Sequence, residues 1–500
     1  MVYQHFCHKR SRLHFSLGRN VINSSRTIRM SERDMASKEQ SIEYSEDVVN
    51  ENATTDVFSD ARKNAVVAIC SAACFLTPMA GLAFLPAVPT IARRFHTTSS
   101  MINISNAVYN VCMGLSCFWA PFSDTYGRKP AFLICMFFCV LSTVLVGCSQ
   151  NLAMFFIFRA TTAFFGTAFF TIGAQVIGDI YPPEKRGGAM GWNIAGSQIG
   201  PPLGPTFGAI IVTYSSWRLI FYILAILGGI MFVLGFFFLP ETKPNNRHVA
   251  AVRDFNARPE VLADPSKKRR FVFLPFNFVR PITSLKYPSL ILAGIASMAL
   301  MYNMYSLLTP IRLVVDPRFG ITVPLYGGLF YLAPGMGYLV GSLMGGKLSD
   351  YQVRKSIQKR GRRVPEDRLR ITLVFFGVFS PASMIAYGWS IQTRKGGYAL
   401  PVISMFLNGL CQTCVFPTIN SYCIDSMAVE IGGGAVGGNY MIRFFASAVG
   451  SATCLQAINN VGIGWTSTIS AAVLVVGAIA TVVLVLYGER MRGGAARSTM

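Results

Sequence analysis

Apolar residues in this chain come in runs of about 20, divided by polar breaks that are mostly short. A helical run of that length spans the hydrocarbon core of a bilayer. Twelve such stretches occur, near residues 65–91, 101–122, 130–148, 152–178, 189–213, 218–239, 287–311, 325–348, 371–391, 398–424, 432–457 and 465–487. They predict an all-α integral membrane protein of twelve transmembrane helices. Two breaks are long: 240–286 joins the sixth stretch to the seventh, and 349–370 joins the eighth to the ninth. The chain thus divides into bundles 65–239 and 287–487, a linker 240–286, and tails 1–64 and 488–500. The first tail is polar, holds no apolar core of a cleavable signal, and reads as disordered.

One polar pattern returns. Asp179, Gly187, Gly188, Gly191 and Asn193 recur as Asp425, Gly433, Gly434, Gly437 and Asn439, each 246 positions later. A repeat at about half the chain length predicts two pseudo-symmetric six-helix halves. Within the fifth stretch, Gly196, Gly200, Gly204 and Gly208 stand at i, i+4 spacing, which puts them on one helix side. That side predicts close approach by another helix. Pro201, Pro202 and Pro205 interrupt the same helix. They predict bending, with neighbouring helices satisfying the freed backbone groups.

Charge orients the helices. The net charge is +22, yet only 14% of residues are charged. With both termini inside, the loops and tails on the cytosolic side hold 35 of the 45 Lys and Arg, and the opposite side holds 7. This is the positive-inside bias, and it predicts cytosolic termini. The basic clusters 267–270 and 360–363 then face anionic lipid rather than nucleic acid. Eleven of the 12 cysteines lie in predicted helices, and the CxxC of Cys411 and Cys414 reads as packing, so disulfides are not expected. Asn103 opens an N-x-S acceptor at the start of the second helix, too close to the bilayer to be glycosylated.

The polar residues left in or beside the helices are the candidate machinery. Asp124 and Asp350 end the second and eighth helices on the cytosolic side. A carboxylate there can meet the positive N-terminus of a helix in the other half, and so latch the halves. The expected contacts are Asp124 with glycines 432–434, and Asp350 with Gly187 and Gly188. Arg159 and Arg443 lie deep in the fourth and eleventh helices, where an arginine needs a partner or a wet cavity. They either brace the bundle against carbonyls and tyrosines, or set the cavity potential. No Asp, Glu or His falls in the middle of a predicted helix, so if the chain moves protons, Asp179 or Asp425, coupled to Arg128 and Arg159, is the expected carrier. Asn106, Tyr109, Asn110, Gln175, Tyr302, Asn303, Tyr305, Asn408, Gln412 and Asn420 suit either a substrate cavity or helix–helix hydrogen bonding.

Gly127-Arg128-Lys129 after Asp124 resembles the loop 2–3 signature of the major facilitator superfamily. Gly196-x3-Gly200-Pro201-x2-Gly204 resembles the helix 5 signature of its antiporters, and Pro240-Glu241-Thr242 fits as well. Residues 65–488 look like a fungal twelve-helix drug:proton antiporter, closest to the quinidine-resistance and dityrosine-transporter group. Four positions depart from that pattern: Ala120, Pro205 and the pair Thr162-Ala163. The resemblance implies the major facilitator fold and alternating access, with Gly127, Arg128, Gly196, Gly200, Pro201 and Gly204 in gating. It also implies export of small organic molecules in exchange for protons, by a monomer in the plasma membrane without a cofactor. A dedicated exporter of organic acids, such as citrate-, itaconate- or dityrosine-like compounds, is the alternative within transporters. A non-transporting receptor is the distant one. No nucleophile–base pair, metal cluster or phosphate loop points to an enzyme.

Overall fold

The structure, a computed structural model, describes residues 58–181, 186–243, 246–258, 268–275, 280–283, 286–360, 365–426 and 429–497. Most of the expected tail 1–64 lies outside them. So do the basic clusters in part, and so do the side chains of Asp350, Asp425 and residues 430–436.

Among the described residues the regular structure is helical, and every expected stretch is a helix. The first six are α1 Asp60–Leu82, α2 Ser99–Leu115, α3 Arg128–Gly147, α4 Leu152–Gly166, α5 Arg186–Tyr214 and α6 Arg218–Phe238. Trp119–Tyr126 continues α2 and Ala168–Ile180 continues α4. The next four are α7 Pro288–Leu308, α8 Leu332–Arg360, α9 Ser380–Thr393 and α10 Ala399–Asp425. The last helix, Val429–Arg497, breaks at Gly462 (φ 84°), giving α11 over 429–461 and α12 over 463–497. Among the described residues, eight stretches are long and apolar enough by length and composition to cross a membrane. The helices below that mark, α2, α5 and α8, carry the polar residues and glycines that pack against other helices. Large apolar side chains point outward elsewhere, such as Ile226 at 63% and Phe237 at 71% exposure on α6. Such a belt suits lipid rather than water.

The glycine side of α5 finds its partner within the first six helices. A Cβ built on Gly196, Gly200 or Gly204 would stand 2.5, 2.8 or 2.7 Å from the carbonyl oxygens of Ser71, Phe75 and Met79 on α1. On Gly208 it would overlap the Ala83 carbonyl. Both helices run at the same four-residue pitch, so one helix backbone lies along the other. α5 stays a single helix through Pro201, Pro202 and Pro205. The same device recurs where Gly337, Gly341 and Gly345 of α8 meet the backbone of α10. Contacts between the first six helices and the rest run mainly through α2 against α11 and α5 against α8.

The sequence reading ended the seventh helix near 311. Instead a π-helical turn, Ile311–Val315, and Asp316–Arg318 carry it on. Asp316 is therefore buried, at 1% exposure. This corrects the expectation that helix-associated carboxylates lie only at the cytosolic ends. Glu366 and Asp367, expected in a loop, are also buried, because helix resumes at Asp367–Arg370.

Candidate functional site

At the loop between α2 and α3, Gly127 takes φ 107°, a backbone that L side chains rarely adopt. It turns the chain directly into α3. The first turn of α3 has free N–H groups. Glu241, which follows α6, accepts from the Arg128 N–H at 3.0 Å and the Lys129 N–H at 3.2 Å. A Cβ on Gly127 would stand 2.5 Å from the Glu241 carboxylate. The Arg128 side chain, 5% exposed, donates to Asp124 at 2.9 Å and to Asp179 at 3.0 Å. Thr242 donates to Asp179 at 3.0 Å, and Lys243 reaches Asp124 at 3.5 Å.

These groups all belong to the first six helices and the segment after α6. Within them Asp124 is held by Arg128 and Lys243; the glycines 432–434 expected against it lie outside the described side chains. The corresponding contacts of Asp350 and Asp425 lie outside the described side chains.

Arg159 and Arg443 occupy matching settings. The Arg159 guanidinium lies 3.8 Å over the Phe84 ring, with Tyr109 at 5.0 Å and Phe155 at 5.5 Å. It donates to the Gly81 carbonyl at 3.2 Å and to Asn106 at 3.4 Å. Arg443 lies 4.2 Å over Phe416, with Tyr440 at 5.1 Å and Phe444 at 5.7 Å, and donates to Gln198 at 3.2 Å. Ring faces and carbonyl oxygens stabilise these cations where no carboxylate does. Even so, Nε and Nη1 of Arg159 and Nε of Arg443 are buried without a hydrogen-bond partner among the described residues.

The two arginines sit within a polar junction. Asn106 donates to Ser451 on α11 at 3.1 Å, and Tyr305 on α7 donates to Asn110 on α2 at 2.9 Å. Together with Gln198–Arg443, these bonds join residues 195 to 345 positions apart. Gln198 and Ser451 were not legible in advance, because a polar residue among glycines or on a mixed helix carries no periodic signal.

Other residues named for the cavity bond or pack within one set of helices. Asn303 donates to Asn408 at 2.7 Å and accepts from Ser470 at 3.2 Å; Asn408 donates to Ser380 and Ser383. That network lies inside the second set of helices and braces it. Tyr302 packs on Gly450, Gln175 donates to the Ala120 carbonyl at 3.4 Å, and Asn439 donates to Asn420 at 3.1 Å. Gln412 differs, since both of its amide atoms are buried and have no partner among the described residues. Cys414 donates to the Gly341 carbonyl, in keeping with packing at the CxxC.

The sequence matches the Major Facilitator Superfamily over residues 70–451. The chain belongs to this superfamily. Superfamily transporter tndD of Aspergillus flavipes is 29% identical over 443 residues, covering 85% of this chain and 81% of that protein. Efflux pump radE of Floropilus chiversii is 27% identical over 441 residues, covering 85% and 80%. Among solved structures, the human organic anion transporter MFSD10 has a TM-score of 0.60 at 15% identity, covering 84% of this chain and 99% of that one. The xylose transporter XylE from E. coli, partially occluded and inward open, also has a TM-score of 0.60, at 14% identity, covering 85% and 97%. These likenesses establish the major facilitator fold. The protein is a membrane transporter of that superfamily, not an enzyme.

Proposed function

We propose that this transporter exports small organic molecules by alternating access, in exchange for protons. It works as a monomer of twelve crossings in the plasma membrane, with both termini in the cytosol and lipid against its basic clusters. The observation that carries this reading is the junction of Asn106, Ser451, Tyr305, Asn110, Gln198 and Arg443. Two helix sets that must part and rejoin are better served by separable hydrogen bonds than by a fused apolar core. The sequence reading supplies the halves, 65–239 and 287–487, and the likeness to one fungal efflux pump supports the direction. Substrate contact is assigned to Arg159, Arg443, Gln412 and the junction amides, and coupling to Arg128 with Asp124 and Asp179. Sealed vesicles under an imposed pH gradient, tested with ethidium and with citrate, check the reading. Gradient-driven movement of either supports it; movement of neither under any gradient refutes proton exchange for these probes.

A second reading, export of organic acids, rests on the unpartnered buried N–H groups of Arg159 and Arg443. In a site of low dielectric they favour an anion over a cation. Under that reading, Arg159→Gln and Arg443→Gln each reduce carboxylate export more than dye export. An equal or larger loss of dye export would assign the arginines to bracing or coupling.

A further inference from the structure

The extension of α7 places a carboxylate where the transport reading has no use for one. Asp316 is buried, and its Oδ2 accepts from Arg312 at 2.8 Å, one turn back across the π-helical turn Ile311–Val315. Its Oδ1 is buried with no hydrogen-bond partner among the described residues. The Tyr331 hydroxyl lies nearby, against the Arg312 backbone. An ionised carboxylate in a dry site needs both oxygens satisfied, and here only one is. π-Turns of this kind concentrate at functional positions.

What covers Asp316 also closes this end of the molecule. Gly327, in the short helix Pro324–Leu329, lies so close that a Cβ there would overlap the Asp316 carboxylate. The next residue, Gly328, presses on α5: its carbonyl accepts from Thr206 at 3.1 Å, and a Cβ on it would stand 2.5 Å from that of Ala209. One short segment therefore has Asp316 beneath it and α5 against it. This end lies opposite the loop of Asp124 and Arg128. The charged and titratable groups that face Asp316 are Arg312 on its own turn, Tyr331 before α8, and Tyr387 of α9, whose hydroxyl donates to the Leu307 carbonyl at 3.3 Å. The covering segment offers backbone only, through its two glycines.

We propose that Asp316 is a proton-binding site that controls closure of this face: it holds a proton while Pro324–Leu329 is pressed between it and α5. It gives the proton up to the adjacent solution when α5 withdraws and the cover loosens. A proton on Oδ1 removes the charge that closure otherwise leaves half-compensated, while Oδ2 keeps its hydrogen bond from Arg312, which is partly exposed. No bond other than that O–H forms or breaks. Acid therefore favours the closed face and alkali the open one. The inference rests on the alternating-access reading, in which this face opens at all, and it concerns a residue outside the Arg128 and Arg159 systems.

The test uses the full chain in lipid nanodiscs with Ala209→Cys as reporter, since Ala209 is fully buried in the closed face. Maleimide labelling at position 209 is read by peptide mass spectrometry and divided by labelling of the exposed native Cys148, which removes the intrinsic pH dependence of thiols. With Asp316 present, the normalised rate should fall several-fold from pH 8 to pH 5. In Asp316→Asn, which imitates the protonated form, it should be low and flat with pH. In Arg312→Gln, the midpoint should move up by about 1–3 pH units, because the ionised form loses its ion pair. A structural ion pair alone would not move a midpoint. The same pH dependence in Asp316→Asn, an unmoved midpoint in Arg312→Gln, or a rate independent of pH with Asp316 present would each overturn the assignment while leaving alternating access intact. No labelling of position 209 at any pH in any variant would instead refute opening of this face, and the inference with it.

Discussion

Gly200→Ala adds one methyl group to the side of α5 that lies along α1. The new Cβ would stand 2.8 Å from the Phe75 carbonyl oxygen, 3.1 Å from the Met79 nitrogen and 3.2 Å from the Pro78 Cβ. Two of those three atoms are backbone and cannot turn aside, so the helices must separate by several tenths of an ångström. Overpacking of this kind costs about 1–3 kcal/mol. Alanine returns about 0.5–1 kcal/mol through its better helix propensity. The net loss expected is roughly 1–2 kcal/mol by those two terms. Gly191→Ala is the control on the same helix, since a Cβ there meets nothing within 4 Å among the described residues. It keeps the propensity gain without the clash and should stabilise slightly. Gly204→Ala should resemble Gly200→Ala, and the double variant should cost less than the two added, because α1 has already moved. The assay is thermal unfolding of detergent-solubilised protein, followed by loss of the monodisperse chromatographic peak. A leucine at either position exceeds the available space many times over and should prevent accumulation of the folded protein. An unchanged or raised melting temperature for Gly200→Ala, beside a normal Gly191→Ala, would refute backbone contact as what sets the α1–α5 distance.

Further outcomes are expected at the loop between α2 and α3. Arg128→Gln should lose two charge-assisted hydrogen bonds, nominally about 1.5–3 kcal/mol each, though less here because Asp124 and Asp179 are about a quarter exposed. A double-mutant cycle with Asp179→Asn should show positive coupling, and additive losses would mean the pair is not formed. Gly127→Ala should destabilise more than Glu241→Gln, since it combines a disfavoured φ with a clash against Glu241; equal effects would place the cost in the cap alone. Tags on both termini should resist external protease in intact cells, and cleavage of either without permeabilisation would reverse the orientation on which the cytosolic reading depends.

Hydropathy and spacing along the chain determined a good deal. They marked every long apolar helix, because transfer of a 20-residue segment into lipid depends on its composition and hardly on its neighbours. They also identified the glycine side of α5, because i, i+4 spacing is a property of one helix. The depth of Arg159 and Arg443 could be read for the same reason. Which way each helix is turned, and against what, was decided only by the tertiary structure. Asp124 accepts from Arg128, a pairing the spacing did not indicate, and the Arg128 N–H is capped by a carboxylate 113 positions away. Asn303 and Asn408 were as suited to a cavity as Asn106, yet they bond to each other within one bundle while Asn106 bonds to Ser451 across the junction. Asp316 passed for a loop residue until the helix was seen to continue through a π-turn, a shift of hydrogen-bond register that leaves no mark on hydropathy. The physical reason is common to all of these. Partition into a membrane is a sum over a segment, which the order of residues contains. Pairing of polar groups is a matter of ångströms between segments, which only their packing sets.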